Sequence, residues 1–370
     1  MAFSDTLLVT TIRERRAVDC NQGVGVGLVG FGRVGRGLFR EISSHRRGLR
    51  VHAIAEVNPK GRPPEDLTAD LAYLLAHDPA YGRYPGRVQA QGTCLVVDDS
   101  VVPVYFHEDP AAIDWRAVAV EILVEASGDP AAAQSAGRLA GTAVPKVVVT
   151  RSAAAAHATL VRGLNLESYD PARHHLVSCS TCTANALAPV LAVVDRAFGV
   201  VSAAIATIHP ALSGDTLLDA PAAEAPAGRS GLGVRPVGSE VARTTAQLLP
   251  HLEGRLTAMS LRVPTLLVNA LVADVVLEHP PASSDEVVRV LREACDGPLG
   301  GVAALEEGFL GRPRVAADFL GDPHSARVDL NWLALCGPQL RLFLWHDNEY
   351  AYCCRVADTL EVIAAGLSGG

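Results

Sequence analysis

The sequence has no excess of basic residues and no long apolar stretch. Its 370 residues contain 32 lysines and arginines against 40 aspartates and glutamates, which gives a formal net charge of -8 at pH 7. A chain with this charge and no basic run has little to attract nucleic acid or an anionic membrane surface. Apolar runs such as AAIATI stop far short of the roughly 20 residues that a membrane helix needs. We therefore expect neither a nucleic-acid partner nor a membrane partner.

The sequence also lacks the cysteine spacing of a disulfide framework or a zinc site. Its eight cysteines are scattered, and the pair Cys179 and Cys182 has no second CxxC or HxxxH to complete four zinc ligands. The N-terminus, MAFSDTLLVTTIRERR, lacks the basic start, the long apolar centre and the cleavage site of a secretory signal. We predict a cytoplasmic protein without a metal site, whose thiols are mostly reduced and buried.

The length and the hydrophobic pattern predict two domains. A chain of 370 residues exceeds the usual size of a single core. After an extension over 1–22, residues 23–180 alternate strand and helix patterns, which indicates an α/β domain with a Rossmann-type doubly wound parallel sheet. Longer strands in quick succession over 181–350 indicate a second, α+β domain with a mixed or antiparallel sheet. An amphipathic helix over 351–370 is expected to complete the first domain.

A glycine motif after the first strand predicts a dinucleotide site. The pattern G-x-G-x-x-G is matched by Gly30, Phe31, Gly32, Arg33, Val34 and Gly35. The motif follows a strand and opens a helix, as the dinucleotide fingerprint requires. Its first glycine permits a tight turn, its second lets the backbone approach a pyrophosphate, and its third allows close helix packing. The helix N-terminus adds a site that favours negative charge.

An acidic residue at the end of the second strand predicts which dinucleotide is bound. Glu56, which lies 21 residues after Gly35, is placed to accept hydrogen bonds from the adenosine ribose and to repel a 2′-phosphate. This favours NAD. Lys60 and Arg62 follow closely and could pair with that phosphate, so NADP stays open as an alternative.

The stretch SCSTCTANALAP, residues 178–189, predicts a reactive cysteine at the start of a helix. A thiolate at Cys182 would be stabilised by the helix dipole and by the unpaired N–H groups of the first turn. On spacing alone, the alternatives are a redox or metal pair with Cys179 and a buried structural thiol. His209, in the apolar strand AAIATIHP, is by itself more typical of a core histidine than of a catalytic one.

Six segments, in order, resemble the phosphorylating glyceraldehyde-3-phosphate dehydrogenases. They are VGLVGFGRVGRGLFRE, LLAHDPAYGRYPGRV, SCSTCTANALAP, TIH, LTAMSLRVPT and WHDNEYAYCCRVADTL, and they span about residues 24–370. The resemblance implies that Cys182 is the nucleophile, that Cys179 stands where the family usually has asparagine, and that His209 acts as acid and base. It implies a thioester on Cys182, hydride transfer to a nicotinamide and release of the acyl group by phosphate. Residues 181–350 would then be the catalytic domain.

The resemblance also implies the remaining contacts to cofactor and substrate. Asn348 would fix the nicotinamide carboxamide, Tyr352 would pack against its ring, and Ser127 and Gly128 would lie beside the cofactor. The substrate-binding residues that it implies are Thr181, Thr183, Arg229, Ser239 and Arg262. The family fold implies a homotetramer whose S-loop, here AAEAPAGRSGLGVRP, reaches towards the cofactor of a neighbouring subunit.

The substrate pocket departs from the family pattern at two places. Leu212 replaces the usual threonine three residues after the histidine, and Ser239-Glu240 replaces the Thr-Gly pair of the inorganic phosphate site. A carboxylate near two phosphates is unfavourable unless it points away or pairs with a cation such as Arg243. Either Glu240 faces solvent and both anion sites survive, or the aldehyde or the acyl acceptor differs from that of the family.

The sequence thus predicts an enzyme that oxidises a small, anionic aldehyde with NAD through Cys182. If the differences in the pocket affect binding, the substrate would differ from that of the family, as would suit a specialised pathway. Two alternatives stay open: a non-catalytic cofactor-binding or regulatory homologue, and a semialdehyde dehydrogenase. Intact Cys182, His209 and Asn348 argue against the first, and the WHDNEYAY and LRVPT segments fit the second less well.

Overall fold

The computed structural model of the protein describes residues 23–46, 48–58, 60–212, 215, 218 and 232–368. The predicted extension over 1–22, most of the S-loop and Arg229 lie outside the described residues. The chain divides into two compact units. The first contains the described chain up to Ala158, Tyr169–Ser178 and the C-terminal residues from Val356, and the second contains Thr159–Ser168 and Cys179–Arg355.

This division differs in detail from the predicted boundaries. The units separate after Ser178 rather than after residue 180, and the C-terminal return to the first unit starts at Val356 rather than at 351. The ten residues from Thr159 to Ser168 join the second unit. Within that unit Gly163 packs closely on Leu299, since a Cβ at this glycine would lie 2.9 Å from the leucine side chain.

The first unit is built on a nine-stranded sheet. The strands of this sheet are β1 (Val24–Val29), β2 (Leu49–Glu56), β5 (Val88–Gln91), β6 (Cys94–Val97), β7 (Ser100–Phe106), β8 (Ile122–Glu125), β9 (Lys146–Val149), β10 (Ala158–Thr159) and β11 (Leu176–Ser178). Two further strands, β3 (His77–Asp78) and β4 (Gly82–Arg83), form a separate two-stranded ribbon. The order is β10-β11-β9-β8-β1-β2-β7-β6-β5. The run from β11 to β7 is parallel, whereas β5, β6 and β7 pair antiparallel. This confirms the predicted doubly wound sheet.

Three helices belong to the first unit over their whole length: α1 (Arg33–His45), α2 (Pro64–Ala76) and α3 (Pro130–Gly137). Helix α1 buries Leu38, Phe39 and Ile42, the apolar face that their spacing predicts. Strand β1 is buried along its whole length, as is typical of a central parallel strand covered on both faces. The carboxyl end of this strand therefore delivers the glycine loop to the edge of a rigid sheet.

The second unit is built on an eight-stranded mixed sheet. Its strands are β12 (Val200–Pro210), β13 (Arg235–Val237), β14 (Leu256–Val263), β15 (Asn269–Leu277), β16 (Ala303–Glu306), β17 (Ala326–Asp329), β18 (Ala334–Cys336) and β19 (Gln339–His346). The order is β13-β14-β12-β15-β19-β17-β16, and β18 also pairs with β19. Strands β12 and β14 run parallel, as do β16 and β17, while the other pairs are antiparallel. This confirms the predicted α+β architecture.

One face of the mixed sheet is covered by helices. The helices that follow in the chain are α4 (Cys182–Phe198), α5 (Val241–Leu248), α6 (Ser284–Asp296) and α7 (Tyr350–Ser368). Leu187, Leu191 and Val194 of α4 share one apolar core with the inward residues of β12, β15 and β19. This packing fixes α4 on the sheet, and the N-terminus of α4 carries Cys182. No helix in the described part of the chain is long and apolar enough to cross a membrane.

Helix α7 is more deeply buried than its amphipathic pattern predicts. Val356, Leu360 and Ile363, the predicted apolar face, are fully buried. The other side is buried as well from Ala351 to Leu360. Small residues occupy much of that side, and its charged side chains have partners, as when Arg355 donates to the carbonyl of Gly301 at 2.8 Å.

Candidate active site

The glycine loop leaves β1 and enters α1 as a tight turn. Gly30 has a φ of +86°, and a Cβ at this residue would lie 2.5 Å from the Cα of Ser127. A Cβ on Gly35 would lie 2.2 Å from the carbonyl oxygen of Gly30. Gly32 differs, because a Cβ there would meet nothing within 4 Å. The first and third glycines are therefore required by the fold, and the second leaves the helix N-terminus open to a phosphate group.

Glu56 borders this cradle from the end of β2. Its Oε2 accepts the N–H of Phe31 at 2.6 Å, and its Oε1 accepts the N–H of Val57 at 2.9 Å. Each carboxylate oxygen keeps a second lone pair that a ribose hydroxyl could use. In the loop beyond, Arg62 pairs with Asp70 at 2.6 Å. The arginine that could favour NADP is thus already engaged.

The other predicted cofactor residues of the first unit lie at the same sheet edge. The Phe31 ring is buried and packs edge-on against Phe39, so only its backbone faces the loop. Arg33 pairs with Asp78 at 2.7 Å, and Val34 is half-buried on the first turn of α1. Ser127 and Gly128 follow β8, and the Ser127 N–H donates to Glu125 at 2.8 Å. Ligands of doubly wound folds bind at this carboxyl edge, and the open cradle beside Glu56 fits an NAD molecule.

The nucleophile candidate stands on a turn that several side chains hold. Thr181 caps α4, because its Oγ1 accepts the N–H of Ala184 at 3.3 Å. Asn185 donates to the carbonyls of Cys179 and Thr181 at 2.8 and 2.9 Å. Ser180 between them has a φ of +57°, a strained value for a residue with a side chain. The chain reverses sharply here and presents Cys182 as the first residue of the helix.

The electrostatic surroundings of Cys182 favour the neutral thiol. Burial raises its pKa, and this outweighs the hydroxyl and N–H of Thr183 and the charge of Arg262, which favour the thiolate. The Thr183 Oγ1 lies 3.7 Å from the sulfur. The helix position alone predicts a stabilised thiolate, so this expectation is not met in the resting protein, because desolvation exceeds the stabilising contacts.

His209, the penultimate residue of β12, carries a neutral imidazole. Its Nδ1 donates to the carbonyl of Pro210 at 2.8 Å, which leaves the Nε2 lone pair available. Burial lowers its pKa to about 4, and the charge of Arg262 acts in the same direction, against Pro210 and Asp215. Thr183 and Arg262 are the neighbouring side chains that favour the Cys182 thiolate.

Arg262 provides positive charge next to both residues. It is the register partner of His209 across β12 and β14, and it interacts electrostatically with Cys182. Its Nη1 is buried and has no hydrogen-bond partner among the residues that the structure describes. The neighbouring Arg235 is instead paired with Asp215 at 2.6 Å. The arrangement fits an anion at Arg262, beside the thiol.

Asn348 lies in the turn between β19 and α7, and Tyr352 lies in the first turn of α7. Asp347 holds this turn by accepting the N–H groups of Glu349 and Tyr350. The Asn348 Oδ1 accepts the N–H of Val268 at 3.2 Å. Tyr352 is buried, and its hydroxyl donates to the Ser180 carbonyl at 3.0 Å. The contact observed for Tyr352 therefore supports the nucleophile turn, a role that the sequence pattern does not indicate.

The pocket positions that depart from the family pattern have defined surroundings. Glu240 precedes α5 and is 64% exposed, and its carboxylate pairs with Arg243 at 2.8 Å. Ser239 is half-buried, with its Oγ 3.4 Å from the N–H of Val241. Leu212 is 49% exposed. Glu240 is thus turned towards solvent and a cation.

Sequence reasoning missed the residues that support the site from behind. Asn185 and Asp347 hold the two turns, and the Asp215–Arg235 ion pair stands next to Arg262. Asn185 offered a signal, because an asparagine in the first turn of a helix often bonds backbone groups nearby. The ion pair joins residues 20 positions apart in the chain, and only the tertiary fold brings them together. Among the residues described, no cluster of His, Cys, Asp or Glu could hold a metal ion.

Comparison with protein families matches both units. The glyceraldehyde 3-phosphate dehydrogenase NAD binding domain matches residues 24–132, and the C-terminal domain of the same family matches residues 181–348. These two ranges contain both the glycine loop and the cysteine turn.

Comparison with curated proteins gives relatives of nearly the same length. Glyceraldehyde-3-phosphate dehydrogenase 1 of Streptomyces arenae is 33% identical over 346 residues, which is 93% of this chain and 99% of the relative. The Geobacillus stearothermophilus glyceraldehyde-3-phosphate dehydrogenase is 32% identical over 92% of this chain and 98% of its own length. Glyceraldehyde-3-phosphate dehydrogenase 1 of Caenorhabditis elegans has the same identity and the same coverage.

Proposed function

The chain belongs to the glyceraldehyde-3-phosphate dehydrogenase family, and from this premise we propose that it oxidises a small, phosphorylated aldehyde through a thioester on Cys182. The family makes it an NAD-dependent oxidoreductase of this type. The residue roles rest mainly on one observation: Cys182 begins α4 with Thr183 and the cation Arg262 next to its sulfur. A nucleophile beside a site for an anion suits an aldehyde that carries negative charge.

His209 removes the thiol proton in this scheme. Its imidazole is neutral near pH 7, since its pKa is about 4, and its Nδ1–H is engaged by the Pro210 carbonyl. The buried thiol needs such a base, because burial raises its pKa. As the bond between Sγ of Cys182 and the aldehyde carbon forms, the proton passes from Sγ to Nε2 of His209.

The addition turns the aldehyde oxygen into an oxyanion. The N–H of Cys182, at the helix N-terminus, and the protonated His209 would hold this oxygen. Bound NAD supplies the acceptor for the hydride. When the carbonyl re-forms with loss of hydride, the acyl group stays on Sγ as a thioester. A phosphate oxygen then attacks the acyl carbon, and the carbon–sulfur bond breaks to return the Cys182 thiolate.

The anion contacts support phosphate both on the substrate and as the acyl acceptor. Arg262 has a buried Nη1 without a partner in the described part of the chain. Thr181, Thr183 and Ser239 supply hydroxyl groups, and Glu240 is directed at Arg243 and solvent. In this position the Glu240 carboxylate does not repel a bound phosphate. Leu212 cannot donate a hydrogen bond, so one contact of the family pattern is lost.

We also propose the assembly and the location that the sequence implies. Members of this family are generally tetrameric and act on small molecules, and we infer a homotetramer. We infer a cytoplasmic location, where reduced thiols such as Cys182 stay reactive.

Turnover with and without phosphate tests the proposal. The purified protein is mixed with NAD and glyceraldehyde 3-phosphate, and the absorbance of the reduced cofactor is followed, with Cys182→Ala as the blank. We expect turnover that depends on phosphate or arsenate and that is abolished in the blank. An absence of turnover while NAD binds and Cys182 still reacts with a thiol reagent would mean that the site serves a different aldehyde.

A further inference from the structure

A row of polar side chains crosses the helix-covered face of the second sheet. The register pairs His209 of β12 with Arg262 of β14, and Asn269 of β15 with His346 of β19. The ladder between β12 and β15 ends one residue before His209 and Asn269. Arg262, His209, Asn269 and His346 therefore lie side by side on four adjacent strands, and their side chains share one face.

Two members of this row are buried side chains with polar atoms that the described residues leave without a hydrogen bond. Asn269 is fully buried, and His346 is 2% exposed. Neither amide atom of Asn269 nor Nε2 of His346 has a hydrogen-bond partner among the described residues. The next inward positions on the same strands, Leu271 and Leu344, are fully buried leucines, so this face accepts apolar side chains. Buried polar groups are almost always paired, with protein or with ordered water.

His346 is close enough to His209 to interact with it electrostatically. Burial lowers the pKa of His346 to about 3, and His209 contributes in the same direction. His346 is therefore uncharged at neutral pH and offers one ring nitrogen as donor and one as acceptor. It adds hydrogen-bonding capacity beside His209 without adding charge.

The backbone next to Asn269 is strained. Val268 has a φ of +71°, which is unusual for a β-branched residue. Its N–H donates to Asn348, the residue assigned to the nicotinamide carboxamide. Strain of this kind persists where the surrounding structure enforces it, and it is concentrated at functional sites. The position of Asn269 is thus tightly determined.

We propose that Asn269 and His346 together bind one ordered water molecule beside His209, and that this hydrated pair positions the His209 imidazole. The inference rests on the role proposed for His209. A water molecule has two donors and two acceptors, so it can accept from the Asn269 amide and donate to Oδ1 of Asn269 or to His346. Pro210 fixes one edge of the His209 ring, and the hydrated pair supports its flank opposite Arg262. His346 is a positioning residue in this scheme.

Alkylation of Cys182 tests the proposal without any aldehyde. The full-length protein is treated with iodoacetamide at pH 8, and labelling of the Cys182 peptide is followed by mass spectrometry. We expect His346→Phe, which fills the space without hydrogen bonds, to slow labelling at least tenfold. We expect Asn269→Leu to do the same, while His346→Gln, which keeps hydrogen-bonding groups, stays within threefold of the unchanged protein.

Leu344→Val is the control for a general loss of packing. Leu344 lies two residues from His346 on the same face, so its variant lowers the melting temperature while leaving labelling within twofold. A crystal structure of the unchanged protein should show a water within hydrogen-bond distance of both Asn269 and His346. The proposal is overturned if His346→Phe labels at the normal rate, if His346→Gln is as slow as His346→Phe, or if the site holds no water. If the unchanged protein does not turn over the aldehyde but His346→Phe still slows labelling of Cys182, only the proposed function is refuted.

Discussion

Cys182 and His209 are both uncharged in the resting protein, and burial is the main reason in each case. Burial raises the pKa of the thiol and lowers the pKa of the imidazole to about 4. Arg262 stabilises the thiolate and destabilises the imidazolium, since a cation affects the two groups in opposite ways. The neutral His209 imidazole can therefore accept the proton of the Cys182 thiol as the sulfur attacks.

Replacement of Arg262 should make Cys182 less reactive. Arg262 lowers the pKa of the Cys182 thiol, so Arg262→Gln raises that pKa further and reduces the thiolate fraction at any fixed pH. We expect alkylation by iodoacetamide at pH 8 to fall about tenfold for each pKa unit. In both proteins the rate should keep rising with pH up to 9. Arg341→Gln, which removes an exposed cation paired with Asp274, is the control, and a rate plateau below pH 7 would contradict the neutral thiol.

Removal of the Glu240 carboxylate should leave the phosphate requirement unchanged. The side chain is 64% exposed and pairs with Arg243, so its repulsion of a phosphate elsewhere is largely screened by solvent. We expect Glu240→Gly to change the KM for phosphate by less than about twofold, measured by cofactor reduction. A many-fold fall in that KM would show that the carboxylate faces the acceptor site and that the natural acceptor is not phosphate.

At the scale of elements, the turn before α4 decides where the sulfur stands. Thr181 caps the helix, Asn185 bonds two carbonyls of the turn, and Tyr352 reaches it from α7. The turn also includes Ser180 in a left-handed conformation. A strained turn keeps its shape only when neighbouring groups hold it, so the residues around Cys182 determine its reactivity as well as its position.

Loss of the Tyr352 hydroxyl should loosen this turn. Tyr352→Phe removes one buried hydrogen bond to the Ser180 carbonyl and leaves that oxygen without this donor. We expect a loss of about 1 kcal/mol in the free energy of unfolding by urea, together with a fall of a few-fold in Cys182 alkylation. Tyr73→Phe is the matched control, because Tyr73 is 65% exposed. Equal effects of the two variants would refute the supporting role of Tyr352.

Local patterns in the sequence predict the elements that carry the site but not its electrostatics. The glycine loop, the start of α4 at Cys182 and the apolar face of α1 follow from periodicity and turn chemistry, and the structure has them where the pattern puts them. The protonation of Cys182 depends on how deeply the sulfur is buried, which only tertiary packing decides. The row that joins His209, Asn269 and His346 depends on strand register, and no spacing along the chain encodes it.

At the scale of the whole molecule, the two units carry different halves of the chemistry. The glycine loop and Glu56 belong to the first unit, and Cys182, His209 and Arg262 belong to the second. Helix α7 contributes to both, with Tyr352 in the second unit and its residues from Val356 in the first. In the first unit, Arg46 ties this helix to α1, since it pairs with Glu41 at 2.9 Å, Asp358 at 3.0 Å and Glu361 at 2.6 Å.

Removal of Arg46 should destabilise the NAD-binding unit in particular. Burial opposes its charge, yet Asp358, Glu41 and Glu361 together raise its pKa. Arg46→Met leaves Glu41 and Asp358, which are 3% and 5% exposed, as buried carboxylates without this cation. We expect a loss of about 3 kcal/mol in unfolding free energy.

NAD distinguishes this loss from general damage. A ligand that binds only the folded unit adds about 2.7 kcal/mol at a hundred times its Kd, so NAD should restore most of the stability of Arg46→Met in urea titrations. Arg62→Met, which removes a more exposed ion pair with Asp70, should cost under about 1 kcal/mol. Labelling of Cys182 in the second unit should stay normal while the first unit is folded. Equal losses in the two variants would mean that Arg46 is an ordinary surface cation, and a loss that NAD fails to offset would mean that the damage extends to the cofactor site itself.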